Sequence, residues 1–429
     1  MKIAVIGVGY VGLVTANCLA KLGNNVTGID SDTRKINMLK KGISPIYEPG
    51  LDELLQENIK KKKISFTGSI AEGIKNAEII FICVGTPPKP NGDADLSSVE
   101  NSSREIAENM REYKLIVGKS TVPVNTGEWI KRTVKLYNKK NVSFDVASNP
   151  EFLREGTAID DFLNPDRIVI GVESEKAKEL LLELYRQIKA PKLVTNIQTA
   201  ELIKHASNSF LAMKISYINA LSKICEKTGA DIIKIAEGMG YDKRIGKSFL
   251  NAGPGYGGFC LPKDVNAFIY IAEKFGYDFE LLKSVEKIND EQKKSIVKKI
   301  EEAVWILKDK TIGVLGLSFK PNTDDIRFSP AMEIVEELIK HGAKVKVYDP
   351  VSMEKAKQEL PELICCKDPY EVCKNSNALA VLTDWDEFKK LDLGKIKKLL
   401  KTPIFIDARN LYNPEELNEL GFIYKGVGR

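Results

Sequence analysis

Short apolar runs alternate with amphipathic stretches along the first part of the chain, as strands and helices do in an α/β protein. Residues 2–30 read as the strand KIAVIG, a glycine turn, a helix through Leu22 and the strand NNVTGID. Further apolar runs at 77–88, 113–123 and 142–152 each end in a polar turn. Such runs are typical of buried parallel strands. The pattern therefore predicts a doubly wound parallel sheet.

The middle of the chain changes to a helical period. A long helix is predicted from Thr199 to Glu226, and a second helical stretch covers 278–307 with enough apolar width to suit a dimer interface. The first helix has a broad predicted apolar face: Leu202, Ile203, Ala206, Phe210, Met213, Ile218, Leu221 and Ile224.

A second strand–turn–helix pattern begins at Thr311 and continues to the strand that ends at Asp349. The apolar runs ALAVLT and PIFIDARN complete a small sheet, and we expect Arg409 to be exposed at the end of the last strand. The fold class predicted is α/β, with two Rossmann-like doubly wound domains joined by a long central helix. The expected domains are a first Rossmann-like domain at 1–198, a central helical dimerisation region at 199–307 and a second Rossmann-like domain at 308–429.

Charge and composition exclude several classes of protein. The 429 residues carry a net charge of +5, which is too small for a nucleic-acid footprint. No apolar run reaches the ~20 residues of a membrane helix. The chain starts directly with a strand, so we expect no secretory signal and a cytoplasmic location. Seven cysteines without framework spacing predict reduced thiols, and two histidines without zinc spacing predict no metal site.

The glycine turn has the context of a dinucleotide site. Gly7 permits a tight turn, Gly9 lets a pyrophosphate approach the backbone, and Gly12 lets the helix pack on the strand. Asp30, about 20 residues further on, would accept a hydrogen bond from a ribose 2′-hydroxyl and repel a 2′-phosphate. The sequence therefore favours NAD over NADP, although Arg34 nearby could tolerate the phosphate.

Ligands of open α/β sheets lie at the carboxyl ends of the strands. Thr86, Thr121 and the loop 149–158 should therefore face the nicotinamide. Glu151 and Glu155 are the candidate carboxylates of that loop. A solvated surface position is the alternative for each of them.

Lys204 and Asn208 are four residues apart on the predicted central helix and therefore share one face. A cation and an amide so placed could stabilise an oxyanion. The alternative is an exposed polar pair that contributes little.

A single cysteine stands within the segment GPGYGGFCLPKD, residues 253–264. Its glycines and Pro262 are typical of a loop rather than a helix or strand. Lys263 places a cation near Cys260, which favours the nucleophilic thiolate. A buried structural cysteine is the alternative, and the segment alone leaves both open.

The second strand–turn pattern lacks the G-x-G-x-x-G spacing. A different phosphate-bearing ligand is therefore expected there, with Lys320 and Arg327 as its cations.

Taken together, several segments resemble the UDP-glucose/GDP-mannose dehydrogenase family of nucleotide-sugar dehydrogenases. They are GVGYVG, YEPGL at 47–51, GTP at 85–87, STVPV at 120–124, NPEFLREGTAIDDFLNPDRIVIG at 149–171, the helix with Lys204 and Asn208, KRIG at 243–246, FLNAGPGYGGFCLPKD at 249–264 and SFKPNTDDIRFSP at 318–330. The resemblance covers nearly the full length. It implies an enzyme that oxidises a primary alcohol to a carboxylate with two NAD and a covalent thioester.

The resemblance also implies residue roles. Cys260 would be the nucleophile, Lys204 and Asn208 would stabilise oxyanions, and Thr121 with Asp264 would hold a water that takes the first proton. Glu151 would help to activate water for thioester hydrolysis. The implied NAD-binding residues are Gly7, Gly9, Tyr10, Val11, Gly12, Asp30, Lys35, Thr86, Thr121, Glu155, Lys263 and Arg327.

UDP-glucose is the substrate that the resemblance implies, bound by a homodimer or higher homo-oligomer. Arg244 would reach the sugar nucleotide from a neighbouring subunit. The other implied substrate-binding residues are Glu151, Phe152, Leu153, Arg154, Glu155, Lys204, Asn208, Phe249, Leu250, Asn251, Gly253, Gly257, Phe319, Lys320 and Arg409.

The chain departs from the family pattern next to the nucleophile. Phe259 stands where the family usually has serine, and Leu261 is shared with enzymes that act on GDP-mannose. EGTA at 155–158 and KRIG favour UDP-glucose, whereas Lys263 and Asp264 disfavour the N-acetylmannosamine branch. The alternatives are a dehydrogenase of GDP-mannose or another UDP-sugar, and a non-catalytic NAD-binding regulator. Retention of Cys260 with its implied partners argues against the regulator.

Overall fold

The structure is a computed structural model that describes residues 1–89 and 92–429. Its internal contacts divide the chain into two compact units. The first unit contains Met1–Ser207 and Asn266–Gly276, and the second contains Asn208–Val265 and Tyr277–Arg429. The three-domain division expected above stays a prediction.

The elements from the N-terminus to the central helix are β1 (Lys2–Ile6), α1 (Tyr10–Lys21), β2 (Asn25–Ile29), α2 (Thr33–Lys40), α3 (Leu51–Lys60), β3 (Ile64–Thr67), α4 (Ile70–Gly73), β4 (Ile79–Ile82), α5 (Ser97–Asn109), β5 (Lys114–Gly118), α6 (Thr126–Tyr137), β6 (Phe144–Ser148), α7 (Ala158–Leu163), β7 (Ile168–Gly171), α8 (Glu175–Leu184), β8 (Lys192–Thr195) and α9 (Ile197–Thr228).

The remaining elements are α10 (Ile232–Gly240), α11 (Cys260–Lys274), α12 (Glu280–Val304), β9 (Thr311–Leu315), α13 (Pro330–Lys340), β10 (Lys344–Tyr348), α14 (Met353–Glu359), β11 (Ile364–Cys365), α15 (Pro369–Cys373), β12 (Ala378–Val381), a short 3₁₀ turn (Phe388–Lys390), α16 (Leu393–Leu399), β13 (Ile404–Asp407), α17 (Pro414–Glu419) and β14 (Ile423–Lys425).

The first unit is built on an eight-stranded sheet in the order β3-β2-β1-β4-β5-β6-β7-β8. Neighbouring strands are parallel except β6 and β7, which pair antiparallel at Ser148 and Gly171. Every residue of β4 is buried, because helices cover both faces of the sheet and exclude water from its central strands. The strands predicted at 77–88, 113–123 and 142–152 are confirmed as β4, β5 and β6.

The glycine turn after β1 has the conformation that its spacing predicts. Gly7 has φ +87°, which favours a residue without a side chain. A Cβ at Gly12 would lie 1.8 Å from the carbonyl oxygen of Gly7. Glycine at this position therefore allows α1 to pack directly on the turn.

The second unit contains a six-stranded parallel sheet in the order β11-β10-β9-β12-β13-β14. This is the order of the first six strands of the other sheet. The two Rossmann-like sheets predicted from the sequence are thus confirmed. Both core clusters of this sheet are aliphatic and aromatic residues of its strands and of the helices packed on them.

The central helix is confirmed as α9, but its predicted apolar face is only partly right. Ile218 is fully buried, whereas Phe210 is 58% and Ile224 is 57% exposed. The dimer interface expected of the 278–307 stretch stays a prediction, although many of its apolar residues already have partners within the chain. Those of α12, such as Val285 and Ile300, are buried within the second unit, because they pack on its sheet.

Among the described residues, the helices include none whose length and hydropathy would allow it to cross a membrane.

Candidate functional site

The end of β2 approaches the glycine turn in the first unit. Asp30 accepts a hydrogen bond from the backbone N–H of Val8 (3.1 Å), and its carboxylate lies 3.8 Å from the ammonium of Lys35. Gly9 caps α1, and a Cβ there would meet no atom within 4 Å. An open space beside the N-terminus of a helix, with an acid at the next strand end, fits the pyrophosphate and ribose of a dinucleotide.

A buried carboxylate that sequence reasoning missed lies behind this turn. Glu48 accepts hydrogen bonds from the Tyr10 hydroxyl and from the backbone N–H groups of Gly156 (2.6 Å) and Ala158 (2.7 Å). Burial and the bond to Glu48 hold the pKa of Tyr10 well above its usual range. The YEPGL motif was its only signal, because two of the three partners of Glu48, Gly156 and Ala158, lie more than 100 residues away along the chain.

The two threonines predicted at the strand ends lie together. Thr86 follows β4 and donates from its hydroxyl to the carbonyl of Thr121, 2.9 Å away, after β5. Thr86 is buried, and Thr121 is half-buried. The carboxyl ends of neighbouring parallel strands place these residues at one edge of the sheet, as predicted.

Lys204 and Glu151 form a buried ion pair in the first unit. The Nζ of Lys204 lies 3.1 Å from Oε1 of Glu151, and each side chain is 5% exposed. Glu151 also accepts from the N–H of Leu153 (2.5 Å). The surface alternative is therefore wrong for Glu151, and the exposed-pair alternative is wrong for Lys204 because burial makes the ion pair consequential.

The Phe152 ring, next to this pair, lies between two cations. The guanidinium of Arg167 is 3.6 Å from the ring centroid, and the ammonium of Lys204 is 5.3 Å from it. Burial lowers the pKa of Arg167, although it stays charged at any ordinary pH. The two cation–π contacts fix the ring of a residue expected to bind the sugar nucleotide.

Lys119 is a second buried cation that the sequence did not single out. Its Nζ donates to Oδ1 of Asn149 (3.0 Å), and its side chain lies against Phe81 and Phe162. Desolvation lowers its pKa to about 8, and the charge of Lys204 acts in the same direction. The loop after β6 is therefore anchored at its first residue by a buried lysine.

Helix α9 also holds the loop that carries Thr121. Glu201 accepts from the N–H groups of Asn125 and Gly127, both at 2.8 Å, at the start of α6. One turn later, Nε2 of His205 contacts the carbonyl of Val122 at 2.8 Å. The residues of α9 around Lys204 thus fix the neighbouring strand-end loop.

In the second unit, Asp264 lies between an amide and a cation. Asn208 donates from Nδ2 to one carboxylate oxygen of Asp264 (2.6 Å), and Lys263 donates to the other (2.5 Å). Asp264 is 1% exposed. Asn208 is also buried, so the exposed-pair alternative is wrong for it too. The set forms a charge-assisted network whose members hold each other in place.

The loop predicted for the cysteine segment is wrong beyond residue 259, because Cys260 is the first residue of α11. Pro262 fits this position, since proline is tolerated in the first turn of a helix. Cys260 is exposed, whereas Cys18, Cys83, Cys225, Cys366 and Cys373 are buried. Its exposure at a helix N-terminus favours a reactive thiolate over the buried structural alternative.

Phe259, the departure from the family pattern, is in contact with two of the predicted cofactor ligands. Its ring centroid lies 4.4 Å from the guanidinium carbon of Arg327 and 5.7 Å from Nζ of Lys263. Asp325 accepts from Nε and Nη2 of the same guanidinium at 2.8 and 2.7 Å. Arg327 is therefore held between a ring and a carboxylate.

The glycines before Cys260 let the segment pack on the second sheet. A Cβ at Gly257 would lie 2.3 Å from the carbonyl oxygen of Phe328, and one at Gly258 would lie 2.8 Å from the Phe319 ring. Glycine is therefore required at both positions. The cysteine segment and the loop after β9 form one assembly within the second unit.

Arg409 lies beside this assembly, and its predicted exposure is wrong. Its Nε donates to the carbonyl of Leu382 and its Nη2 to that of Phe319, both at 2.9 Å. Its side chain is 18% exposed, because these carbonyls draw the guanidinium inward. Gly253 packs against Arg409, so two of the expected substrate residues are adjacent.

Other expected substrate residues differ in setting. Leu250 is buried, Asn251 is exposed, and Phe249 has φ +65°. The exposed Arg244 is paired with Asp242 of its own chain at 2.6 Å. Lys320 lies 5.4 Å from the ring of Phe319.

The turn after β9 also has an acid at the end of the next strand, but this acid is more deeply buried than Asp30. Asp349, at the position equivalent to Asp30, is 1% exposed and accepts from the N–H groups of Leu317 (2.8 Å) and Ser318 (3.2 Å) and from Nε1 of Trp385 (3.2 Å). Its carboxylate is occupied by the protein itself. The expectation that the second sheet binds no dinucleotide stays a prediction.

Three family models match the chain in succession. They are the NAD binding domain, the central domain and the UDP binding domain of the UDP-glucose/GDP-mannose dehydrogenase family, at residues 1–189, 198–291 and 313–414.

Curated relatives match over the full length. The UDP-glucose 6-dehydrogenase TuaD of Bacillus subtilis is 47% identical over 429 residues, which cover 100% of this chain and 93% of the relative. A UDP-glucose 6-dehydrogenase of Rhizobium meliloti is 44% identical, with 100% of both chains covered.

Solved structures are also similar. A UDP-glucose dehydrogenase from the archaeon Pyrobaculum islandicum has a TM-score of 0.94 and 40% identity, covering 100% of this chain and 97% of that one. A UDP-D-ManNAc dehydrogenase from Pyrococcus horikoshii has a TM-score of 0.89 and 31% identity, covering 100% and 99%.

Proposed function

Since the chain belongs to the UDP-glucose/GDP-mannose dehydrogenase family, we propose that it oxidises UDP-glucose to UDP-glucuronate, reducing two NAD for each product. Membership confirms the family predicted from the sequence, the NAD cofactor and the class of NAD-dependent oxidoreductase. The choice of UDP-glucose is supported by the full-length identity to UDP-glucose 6-dehydrogenases. Because the chain is also similar to the UDP-D-ManNAc dehydrogenase of Pyrococcus horikoshii, another UDP-sugar is the alternative substrate.

The observation that carries the proposed chemistry is the exposed Cys260 at the start of α11, four residues before the Asn208–Asp264–Lys263 network. A regulator without catalysis would have no need for an exposed thiol in the first turn of the helix that carries Lys263 and Asp264. The proposed reaction uses that thiol for covalent catalysis, which divides one difficult oxidation into two easier steps.

Several residues of the first unit are proposed to hold NAD. Its pyrophosphate would lie at Gly9 and the N-terminus of α1, and its ribose would be bonded by Asp30. When bound, NAD accepts a hydride from C6 of the sugar. Thr86, Thr121 and Glu155 would border the nicotinamide, with Lys263 and Arg327 as cations for its phosphates.

Proton and charge transfer are assigned to the buried polar groups. Asp264, with Thr121, would hold the water that accepts the proton of the C6 hydroxyl as the aldehyde forms. The Cys260 thiolate then adds to the aldehyde carbon, and Lys204 and Asn208 stabilise the resulting oxyanion. Loss of a second hydride from this thiohemiacetal, which a second NAD would accept, leaves a thioester. Glu151 would activate a water that cleaves it to the carboxylate and the thiol.

The uridine and sugar are assigned to the second assembly. Phe319, Lys320 and Arg409 would contact the diphosphate and sugar beside the cysteine segment, with Asn251 and Gly257. Arg244 is proposed to complete the site from a neighbouring subunit. A homo-oligomer is supported by α9, which exposes Phe210, Tyr217 and Ile224 at intervals of seven residues.

The test compares the wild-type protein with Cys260→Ser and a matched control, Cys365→Ser, which changes the other exposed cysteine. We expect the wild type to yield two NADH per UDP-glucose. Cys260→Ser should lose at least about 10³-fold in kcat, since serine stays protonated near neutral pH, yet should bind UDP-glucose in calorimetry. Cys365→Ser should keep its rate.

Two results would contradict the proposal. Steady turnover by Cys260→Ser near the parental rate would contradict the covalent mechanism. Oxidation of GDP-mannose or UDP-N-acetylhexosamine in preference to UDP-glucose would contradict the proposed substrate.

A further inference from the structure

Glu48 connects two parts of the first unit that are distant in sequence. One carboxylate oxygen accepts from the N–H of Ala158, and the other accepts from Gly156 and from the Tyr10 hydroxyl. The side chain is 6% exposed. The proposed chemistry assigns no role to Glu48 or to the YEPGL motif that contains it.

The groups joined by Glu48 are close to proposed ligands. Tyr10 directly follows Gly9 at the start of α1, in the glycine turn. Gly156 directly follows Glu155, whose charge acts on Tyr10. Glu48 therefore links the turn that would hold the pyrophosphate to residues 151–158 of the loop after β6, called here the loop 151–158.

The same loop is fixed elsewhere by separate contacts. At its start, Glu151 pairs with Lys204 at 3.1 Å. In its middle, Asp161 accepts from the N–H of Arg154 at 2.8 Å. Glu48 fixes the end that carries Glu155, where Gly156 has φ +83° and its half-buried N–H donates to Glu48 at 2.6 Å and to the Tyr10 hydroxyl at 3.2 Å.

Only a carboxylate of this length serves all three donors. Burial and the bond to Glu48 keep the Tyr10 hydroxyl protonated, so it remains a donor. Glutamine would turn an N–H₂ group toward at least one N–H, and the unsatisfied buried group would shift the loop.

We propose that Glu48 is a positioning residue that sets the loop 151–158, with Glu155 and Glu151, relative to the glycine turn. This inference rests on the proposed function, because the loop matters for rate only if its carboxylates border the reacting groups. A displacement of about 1 Å in such a loop can lower a rate up to ~10²-fold.

The experiment measures kcat with UDP-glucose, the Kd of NADH and the melting temperature for Glu48→Gln. Asp368→Asn is the matched control, because Asp368 likewise accepts from two backbone N–H groups, those of Tyr370 and Glu371, at the start of a short helix. We expect kcat of Glu48→Gln to fall at least about tenfold, with the NADH Kd changed less than about threefold. Asp368→Asn should lose melting temperature but keep kcat.

Three results would overturn the inference: a Glu48→Gln kcat within about twofold of the parent, a parallel loss of NADH affinity, or an equal kcat loss in Asp368→Asn. If Glu48→Gln does not fold, Tyr10→Phe decides, with an expected kcat loss of about threefold that an unchanged kcat would contradict. A wild type inactive on UDP-glucose would contradict the proposed function alone. The same comparison would then use the nucleotide sugar that is oxidised.

Discussion

At the scale of single residues, Phe259 shows why a departure from a family pattern needs a structure. Its ring is in contact with Arg327, which Asp325 holds from the other side. A cation–π contact at an exposed site contributes about 0.5–1 kcal/mol. Phe259 therefore stabilises one orientation of a cation that we propose for NAD.

The change Phe259→Ser, to the residue usual in the family, should raise the Kd of NADH about twofold to fivefold. The reason is that Arg327 keeps its carboxylate partner but loses the ring. Fluorescence titration with NADH measures the effect.

A double-mutant cycle with Arg327→Ala is the control for this assignment. The two changes should be less than additive, because each removes the same contact. Strictly additive losses would show that Phe259 acts on NADH independently of Arg327.

Residue roles could be predicted where the requirement is local. Gly7 and Gly12 were found from spacing, since a positive φ and a close helix contact belong to one turn. Glu48 was not found, because its partners at Gly156 and Ala158 are brought near only by the completed sheet. Burial of Lys119 and the inward turn of Arg409 likewise depend on distant carbonyl and amide groups.

At the scale of elements, side chains of α9 fix the position of the loop after β5. Glu201 on this helix is 3% exposed, and burial raises its pKa to about 7. The N–H groups of Asn125 and Gly127 oppose this shift but do not cancel it.

Glu201 predicts a pH dependence of stability. The folded-state pKa lies above the unfolded value of 4.5, so the folded state binds more protons between about pH 4.5 and 7. The contribution of Glu201 to the free energy of unfolding therefore falls by about 2–3 kcal/mol as the pH rises through this window. Glu201→Gln should remove this dependence in urea unfolding measured at about pH 5 and pH 8.

Glu100→Gln on α5 is the control, because Glu100 is exposed. It should leave the pH dependence as in the parent. An identical pH slope in Glu201→Gln and the parent would contradict the raised pKa.

Element types could be predicted better than element ends. The predicted apolar runs contain β4, β5 and β6, because a short, continuous apolar run is typical of a buried strand. The start of α11 at Cys260 was not predicted, because the glycines before it and Pro262 indicated a loop. Proline is, however, tolerated in the first turn of a helix. Which part of an apolar helix face is buried depends on its neighbours, and so the exposure of Phe210 could not be predicted.

At the scale of the whole molecule, the exposed face of α9 supports the proposed homo-oligomer. Phe210, Tyr217 and Ile224 are 58%, 52% and 57% exposed. A spacing of seven residues places them along one line of the helix. Exposed apolar residues in such a line are typical of a surface that another chain covers.

Tyr217→Lys should therefore convert the oligomer to monomers, because it places a charge in the middle of this line. Sedimentation velocity measures the change. If Arg244 acts from the neighbouring chain, kcat should fall with the loss of the oligomer. Trp305→Lys is the control, since Trp305 is 85% exposed and lies outside α9. A Tyr217→Lys protein of parental size would contradict the interface.

The occupied carboxylate of Asp349 has an evolutionary consequence. The second sheet has the strand order of the first six strands of the other sheet, so a second dinucleotide site could in principle arise there by mutation. Releasing Asp349 would leave the buried N–H groups of Leu317 and Ser318 without an acceptor, at about 1–3 kcal/mol each. A change of Asp349 on such a route would therefore cost stability before any ligand was gained.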